Sequence, residues 1–334
     1  MRMLRIFGFL LLLGTVFLIV SVLPQLSSTA ASYYNVLNAM DAPQILEDSI
    51  TTAKNLIQPV NCSTIESIDP INLGRMKSSV PPPTPDSYWV SFSWWDVRLK
   101  RPNFKAGKTV MANPTINKIQ VLLSKLDPDS VFVDVGANVG FISNHALTLR
   151  NLAHVIAIEP ISYNVAKLCE GVQAFQDNMV SIYPRRYDIY HAAAGAQYQE
   201  SISIIRPSDE VGYFDRASLT KEAVNGGQGV VEEQIPLIAV DSLLLNSEYS
   251  IGLVKLDVQG NEYGVLEGMS DILASHSKRP RFVFYEEEKD MVIKAGYKPG
   301  GCQALLESYG YSCEATGTGD VVCEKGSSKE IAAR

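Results

Sequence analysis

The chain has no excess of positive charge. Its 334 residues carry 29 Lys and Arg against 36 Asp and Glu, a formal net charge of -7. Proteins that grip phosphate backbones need a basic surface, so nucleic acid is not the expected partner. Histidine is scarce at 4 residues, and the 5 cysteines fall in no Cys-x-x-Cys pair. Without that spacing or His-x-x-x-His, no zinc site is expected. Gly-x-Gly-x-x-Gly is also missing, which removes the usual fingerprint of dinucleotide binding. What remains is 46% hydrophobic residues, enough for a full core.

The most informative segment is Val131-Phe132-Val133-Asp134-Val135-Gly136-Ala137-Asn138-Val139-Gly140-Phe141. Apolar β-formers around one acid predict a buried parallel strand, and the Gly-rich turn leads into a helix starting near Phe141. Asp134-x-Gly136-x-x-x-Gly140 is the looser spacing typical of S-adenosylmethionine (SAM) methyltransferases. Gly136 offers backbone angles closed to other residues. Asp134 is placed to accept from the ammonium of the methionine moiety. Asn138 and the first helical amides suit that moiety's carboxylate, because a helix start presents unpaired donors. His154-Val155-Ile156-Ala157-Ile158 predicts a second strand, ending in Glu159-Pro160 roughly twenty residues after the glycines, where an acid meets ribose hydroxyls in such folds. Pro160 then directs the chain into a helix from Ile161 to about Phe175.

Further along, Ile189–Ala193 and Ser201–Ile205 read as short strand-like runs. The polar segment Arg206–Gln234 reads as an irregular insertion beside the site, and Ile235–Leu243 as another apolar run. A buried strand from Ile251 runs into Asp257, then a Gly turn and a helix from about Tyr263 to Met269. Arg281–Tyr285 is a strand ending in Glu286-Glu287-Glu288. Four apolar strands thus end in acids: Asp134, Glu159, Asp257 and Glu286. In a parallel sheet those ends gather along one edge, which marks the expected active site.

The amino terminus carries a different signal. Arg2 and Arg5 precede an uncharged apolar run, Ile6–Leu23, long enough to span a bilayer with the remainder of the chain in the secretory lumen or outside the cell. The expected organisation is a signal anchor at 1–24, a stem or linker at 25–85 ending in Val80-Pro81-Pro82-Pro83-Thr84-Pro85, a catalytic domain at 86–326 and a tail at 327–334. Small residues at Ser28-Thr29-Ala30 leave a cleaved signal peptide and a secreted product as the alternative. Asn61-Cys62-Ser63 is a glycosylation sequon. The aromatic cluster Tyr88–Trp95 fits either sugar stacking or packing of an extension. Cys313 and Cys323 flank a turn-forming stretch and are expected to pair, with Cys302–Cys313 as the rival.

Taken together, Phe132–Gly140, Ile158-Glu159-Pro160, His191–Gly195, Val240–Leu243 and above all Val254-Lys255-Leu256-Asp257-Val258-Gln259-Gly260-Asn261-Glu262 with Val265–Gly268 resemble the FkbM-type family of SAM-dependent methyltransferases. Gln259 stands where that family usually has Glu, and His191 where it often has Asn. The resemblance implies a Rossmann-like α/β fold, helices on both faces of a mostly parallel seven-stranded sheet with its last strand antiparallel. It also implies O-methylation of a sugar or polyketide hydroxyl. For that chemistry Asp257 is the leading candidate base, followed by Glu262 and His191; Asp134, Gly136, Asn138, Gly140 and Glu159 are the candidate SAM contacts. The expected acceptor is a small molecule, glycan or glycoconjugate. Two other readings stay open: a NAD-dependent sugar oxidoreductase or epimerase on a similar fold, and a non-catalytic binding module.

Overall fold

The computed structural model describes residues 58–62, 114–127, 129–146, 152–169, 186–207, 217–219, 224, 230–317 and 319–326. The expected anchor at Ile6–Leu23, the polyproline stretch and the tryptophan cluster lie outside these residues. Among the described residues no helix is long and apolar enough to cross a membrane.

The chain order is α1 (Pro114–Ser124), β1 (Ser130–Val135), α2 (Phe141–Ala146), β2 (Leu152–Glu159), a helix α3 at 162–169, β3 (Arg186–His191), β4 (Ala193–Ala194), β5 (Gln199–Pro207) and β6 (Val230–Ile238). There follow α4 (Val240–Leu244), β7 (Ser250–Leu256), α5 (Glu262–Glu267), α6 (Ser270–Ala274), β8 (Phe282–Glu286), α7 (Lys289–Lys294), α8 (Gly301–Ser308), β9 (Tyr311–Ala315) and β10 (Asp320–Lys325). A seven-stranded sheet runs in the order β3-β2-β1-β7-β8-β10-β9. The pairs from β3 through β8 are parallel, whereas β10 is antiparallel to both β8 and β9. The last strand is therefore the antiparallel one, as the resemblance implied.

The sequence explains why β1 is central. All six of its residues are buried, which a parallel strand covered by helices on both faces requires. Period-two alternation sends Val131, Val133 and Val135 into one core with Val254, Leu256 and Val265. Phe132 points the other way, toward Leu253, Phe282 and the α1 residues Ile119 and Leu123. Asp134 shares the Phe132 face by the same alternation.

Three runs divide differently from the linear reading. The stretch Ile189–Ala193 splits, because β3 ends at His191 and Ala193 begins β4 in a second sheet of order β4-β6-β5. The apolar Ile235–Leu243 run is half strand and half helix, α4 starting at Val240. Residues Val230 to Gln234, expected to be irregular, pair antiparallel with β5. This start of the strand is exposed to half-exposed and carries Glu232, Glu233 and Gln234, so low hydrophobicity concealed it.

Two disulfides are present. Cys313 and Cys323 face each other in register and are bonded. Cys302 is buried and free, so the rival pairing does not occur. The second bond, Cys62–Cys169, joins residues 107 positions apart. It fastens the stretch 58–62, which composition assigned to the linker, to α3, and the Val60 amide donates to the Ile189 carbonyl at 2.7 Å.

Candidate active site

A cavity of about 300 Å³ opens at the carboxyl ends of β1, β2, β7 and β8. Its floor is the turn after β1. The Gly136 and Ala137 amides donate to the Ile158 carbonyl at 2.9 and 3.2 Å, tying that turn to β2. Gly136 has φ +75°, and a Cβ there would lie 1.9 Å from the Asp257 carbonyl oxygen. Glycine is thus demanded by the neighbouring backbone, not only by a ligand. Asn138 also has positive φ, and its side-chain oxygen accepts from the Val139 amide at 2.7 Å.

Glu159 ends β2 and reaches the cavity wall. Its Oε2 accepts from the Asn138 amide at 2.8 Å; Oε1 accepts from the Ile161 amide and from Asn164 Nδ2, both at 3.0 Å. Burial pushes its carboxyl up to about 7, although those three donors pull the other way. One lone-pair direction on Oε2 is left for a ligand hydroxyl.

Asp134 is placed otherwise than the linear reading expected. It is fully buried and does not line the cavity. Ser143 on α2 donates to its Oδ2 at 2.6 Å, and Lys255 Nζ donates to its Oδ1 at 2.9 Å. The pair follows from register, since Asp134 and Lys255 are direct partners across β1 and β7. Lys255 also donates to the Gly136 carbonyl at 3.0 Å and lies 3.6 Å from Asp257 Oδ2. Burial opposes its charge, but Asp134, Asp257 and Glu159 together hold the ammonium above its usual value. One buried cation therefore fixes the strand acid, the glycine turn and the acid at the rim.

Asp257 follows β7 directly and lines the cavity, together with Val258, Gln259 and Glu286. Gln259 has φ +56° and turns its amide between two carboxylates. Its Nε2 donates to Asp257 Oδ1 at 2.9 Å and lies 3.3 Å from Glu286 Oε2. Burial, then the charge of Asp257 and a hydrogen bond with it, raise the Glu286 carboxyl well above the ordinary range. A proton on Glu286 relieves the repulsion between these two neighbouring carboxyls.

Glu262 and His191 lie behind the wall. Glu262 opens α5 and accepts from the Val258 amide at 2.9 Å and the Gly260 amide at 3.1 Å, so it braces the turn that carries Gln259. Burial pushes it up to about 7. His191 closes β3, with Nε2 sharing a 3.1 Å hydrogen bond with the Pro160 carbonyl; the next residue, Ala192, faces the cavity instead. Gly140, at φ +83°, bends the chain into α2 and is also absent from the cavity wall. The structure thus brings Gly136, Asn138, Glu159 and Asp257 together at the cavity and sets Asp134, Gly140, His191 and Glu262 around it. Glu286, one of the four strand-end acids, also lines it, and Gln259 and Asn164 belong to the wall without having been singled out for it. For Glu286 the signal was visible, an acid ending an apolar strand; for Asn164 nothing marked it beyond its place one turn into α3.

A parallel sheet reversed at its centre, a glycine turn after the first strand, an acid ending the second and an antiparallel final strand define the Rossmann-like methyltransferase class. A family model described as "Methyltransferase FkbM domain" matches residues 134–313, and the chain belongs to that family. Its cofactor is S-adenosylmethionine. The chain is 27% identical over 198 residues to the hexuronic acid methyltransferase AglP of Haloferax volcanii, covering 59% of this chain and 70% of that protein. It is 26% identical over 232 residues to the AMB antimetabolite synthetase AmbE of Pseudomonas aeruginosa, of which it spans only 11%. A crystal structure of methyltransferase FkbM from Methylobacillus flagellatus KT superposes with a TM-score of 0.38 at 16% identity, covering 59% of this chain and 43% of that one.

The described residues fit that cofactor. Glu159 keeps acceptor capacity at the place suited to ribose hydroxyls, and the Gly136–Asn138 turn, stripped of side-chain bulk at Gly136, borders the same cavity. Val135, Ile158 and Val258 give it apolar flanks.

Proposed function

We propose that the protein is an O-methyltransferase that methylates a hydroxyl of a sugar or glycoconjugate, tethered to a membrane by Ile6–Leu23 with its catalytic domain in an oxidising compartment. The observation that carries the chemistry is Asp257 on the cavity wall, hydrogen-bonded to Gln259, paired with Glu286 and 3.6 Å from Lys255. Two disulfides support the compartment, since such bonds persist where thiols are not kept reduced. Similarity to a hexuronic acid methyltransferase supports a sugar acceptor.

Glu159 and the Gly136–Asn138 turn would hold the cofactor, which when bound supplies a methyl group on a positively charged sulfur. Asp257 would take the acceptor's proton as the oxygen gains the methyl group. Lys255 steadies the ionised form of that acid from below. Glu286, whose carboxyl lies above the ordinary range, would hold a proton beside that base, and Gln259 fixes the spacing of the two carboxylates with a neutral donor. A positioned base of this kind contributes about 10²–10⁴-fold.

The test is transfer of labelled methyl from SAM to fractionated glycans, lipids and small molecules, comparing the native chain with Asp257→Ala. Label entering a saccharide fraction and falling at least 100-fold in the variant, with SAM affinity within a few-fold, is the expected result. Turnover unchanged by the substitution would remove Asp257 as the base. SAM bound with no acceptor labelled in any fraction would favour a non-catalytic module instead.

A further inference from the structure

Residues 58–62 lie beside β3, the edge strand of the seven-stranded sheet. Val60 and Cys62 pack on the cluster that contains Val165, Leu168, Cys169 and Ile189. Asn61, between these two anchored neighbours, is exposed. Its backbone belongs to no helix or strand, yet it is held in place from both sides: the Val60 amide donates to the Ile189 carbonyl at 2.7 Å, and Cys62 is bonded to Cys169. Asn61 does not line the cavity, so neither the cofactor nor the acceptor accounts for it.

In the sequence, Asn61 opens the sequon Asn61-Cys62-Ser63. Asn113-Pro114-Thr115 is the one other Asn-x-Ser or Asn-x-Thr spacing in the chain, and its proline disqualifies it. The spacing alone is a weak signal. Here it coincides with an exposed asparagine on irregular backbone, and its middle residue forms a disulfide that belongs to an oxidising compartment. Resting on the reading above that puts this domain in such a compartment, we propose that Asn61 carries an N-linked oligosaccharide. The donor is a glycan carried on a lipid diphosphate. A bond forms between Asn61 Nδ2 and the anomeric carbon of the sugar as the bond from that carbon to the phosphate oxygen breaks. The lipid diphosphate leaves with the electron pair, and the amide gives up one proton. Because the Asn61 side chain is exposed while Val60 and Cys62 hold the stretch to the core, the bulky, hydrated glycan fits without unseating either anchor.

The experiment expresses the full-length protein in a eukaryotic host with a secretory pathway and compares gel mobility before and after an endoglycosidase that removes N-linked glycans. The expected result is one discrete shift, lost in Asn61→Gln and in Ser63→Ala and kept in Ser63→Thr. The readout is made on total protein, so it does not depend on how well a variant folds. A shift that survives Asn61→Gln or Ser63→Ala overturns the assignment. Glu248→Thr is the control for compartment: it completes a second sequon on Asn246, and both positions are exposed in the loop between α4 and β7. A shift in Glu248→Thr that is unchanged by adding Asn61→Gln, with none in the native chain, overturns the Asn61 glycan and leaves the compartment standing. No shift in either the native chain or Glu248→Thr overturns the compartment and the glycan together, while methyl transfer keeps its own test.

Discussion

Lys255 shows how a residue that touches no ligand can decide a site. Its ammonium satisfies a fully buried Asp134, so removing it strands an uncompensated charge beneath the cavity. Lys255→Met is expected to lower stability by about 3–5 kcal/mol, read as the shift in urea midpoint at constant slope. A loss under about 1 kcal/mol would mean that the pair contributes little. At Gly136 the reasoning is steric. A Cβ would overlap the Asp257 carbonyl, at a φ that disfavours any side chain. Gly136→Ala is expected to displace the Asp257 backbone and to weaken SAM binding by tenfold or more in calorimetry, whereas the same change at Gly317, where nothing lies within 4 Å of the added Cβ, leaves binding unchanged.

Among the elements, legibility followed burial. The central strands β1, β2, β7 and β8 were plain in the sequence because both faces are buried, so each reads as an unbroken apolar run ending at a polar turn. The hairpin of β9 and β10 was readable for another reason. Its Gly-rich turn set a register that put Cys313 opposite Cys323. The polar start of β6 was hidden because an exposed strand has no apolar signature, and Cys62–Cys169 because its partners share no local pattern. The two bonds should also differ in strength. Closing a loop of 107 residues restricts the unfolded chain far more than closing one of 10. The entropic cost of losing each is about 5 and about 3 kcal/mol respectively. Cys62→Ser with Cys169→Ser is expected to lower the urea midpoint more than Cys313→Ser with Cys323→Ser, and the reverse order would show that strand pairing, not loop closure, sets the effect.

For the whole molecule, the acids that make the site also set how stability responds to pH. Of the four strand-end acids, the linear sequence located Glu159, Asp257 and Glu286 correctly at the cavity edge, but could not show that Asp134 turns into the core or that Glu262 braces a turn. Those differences depend on pleat and on backbone hydrogen bonds formed after folding. Their consequence is measurable. Burial raises Glu159 and Glu262 from 4.5 to about 7, so the folded chain holds protons there that the unfolded chain has released. The stability these groups contribute is complete below pH 4.5 and declines as pH rises through about 7, by about 3 kcal/mol each. Glu233 acts in the opposite sense. Burial alone would raise it, but hydrogen bonds from Arg206 and Ser162 lower it overall, so its contribution is present above 4.5 and lost in acid. The cofactor-free protein is therefore expected to be most stable near pH 5 and to weaken steadily toward pH 8 in urea titrations. Glu286 and Asp241 are raised by burial as well, so Glu262→Gln, which cannot ionise beneath the Val258 and Gly260 amides, should flatten that decline by about a quarter. A profile that is flat or rising between pH 5 and 8 would mean that solvent reaches these carboxyls and that the wall behind Asp257 is more open than its hydrogen bonds imply.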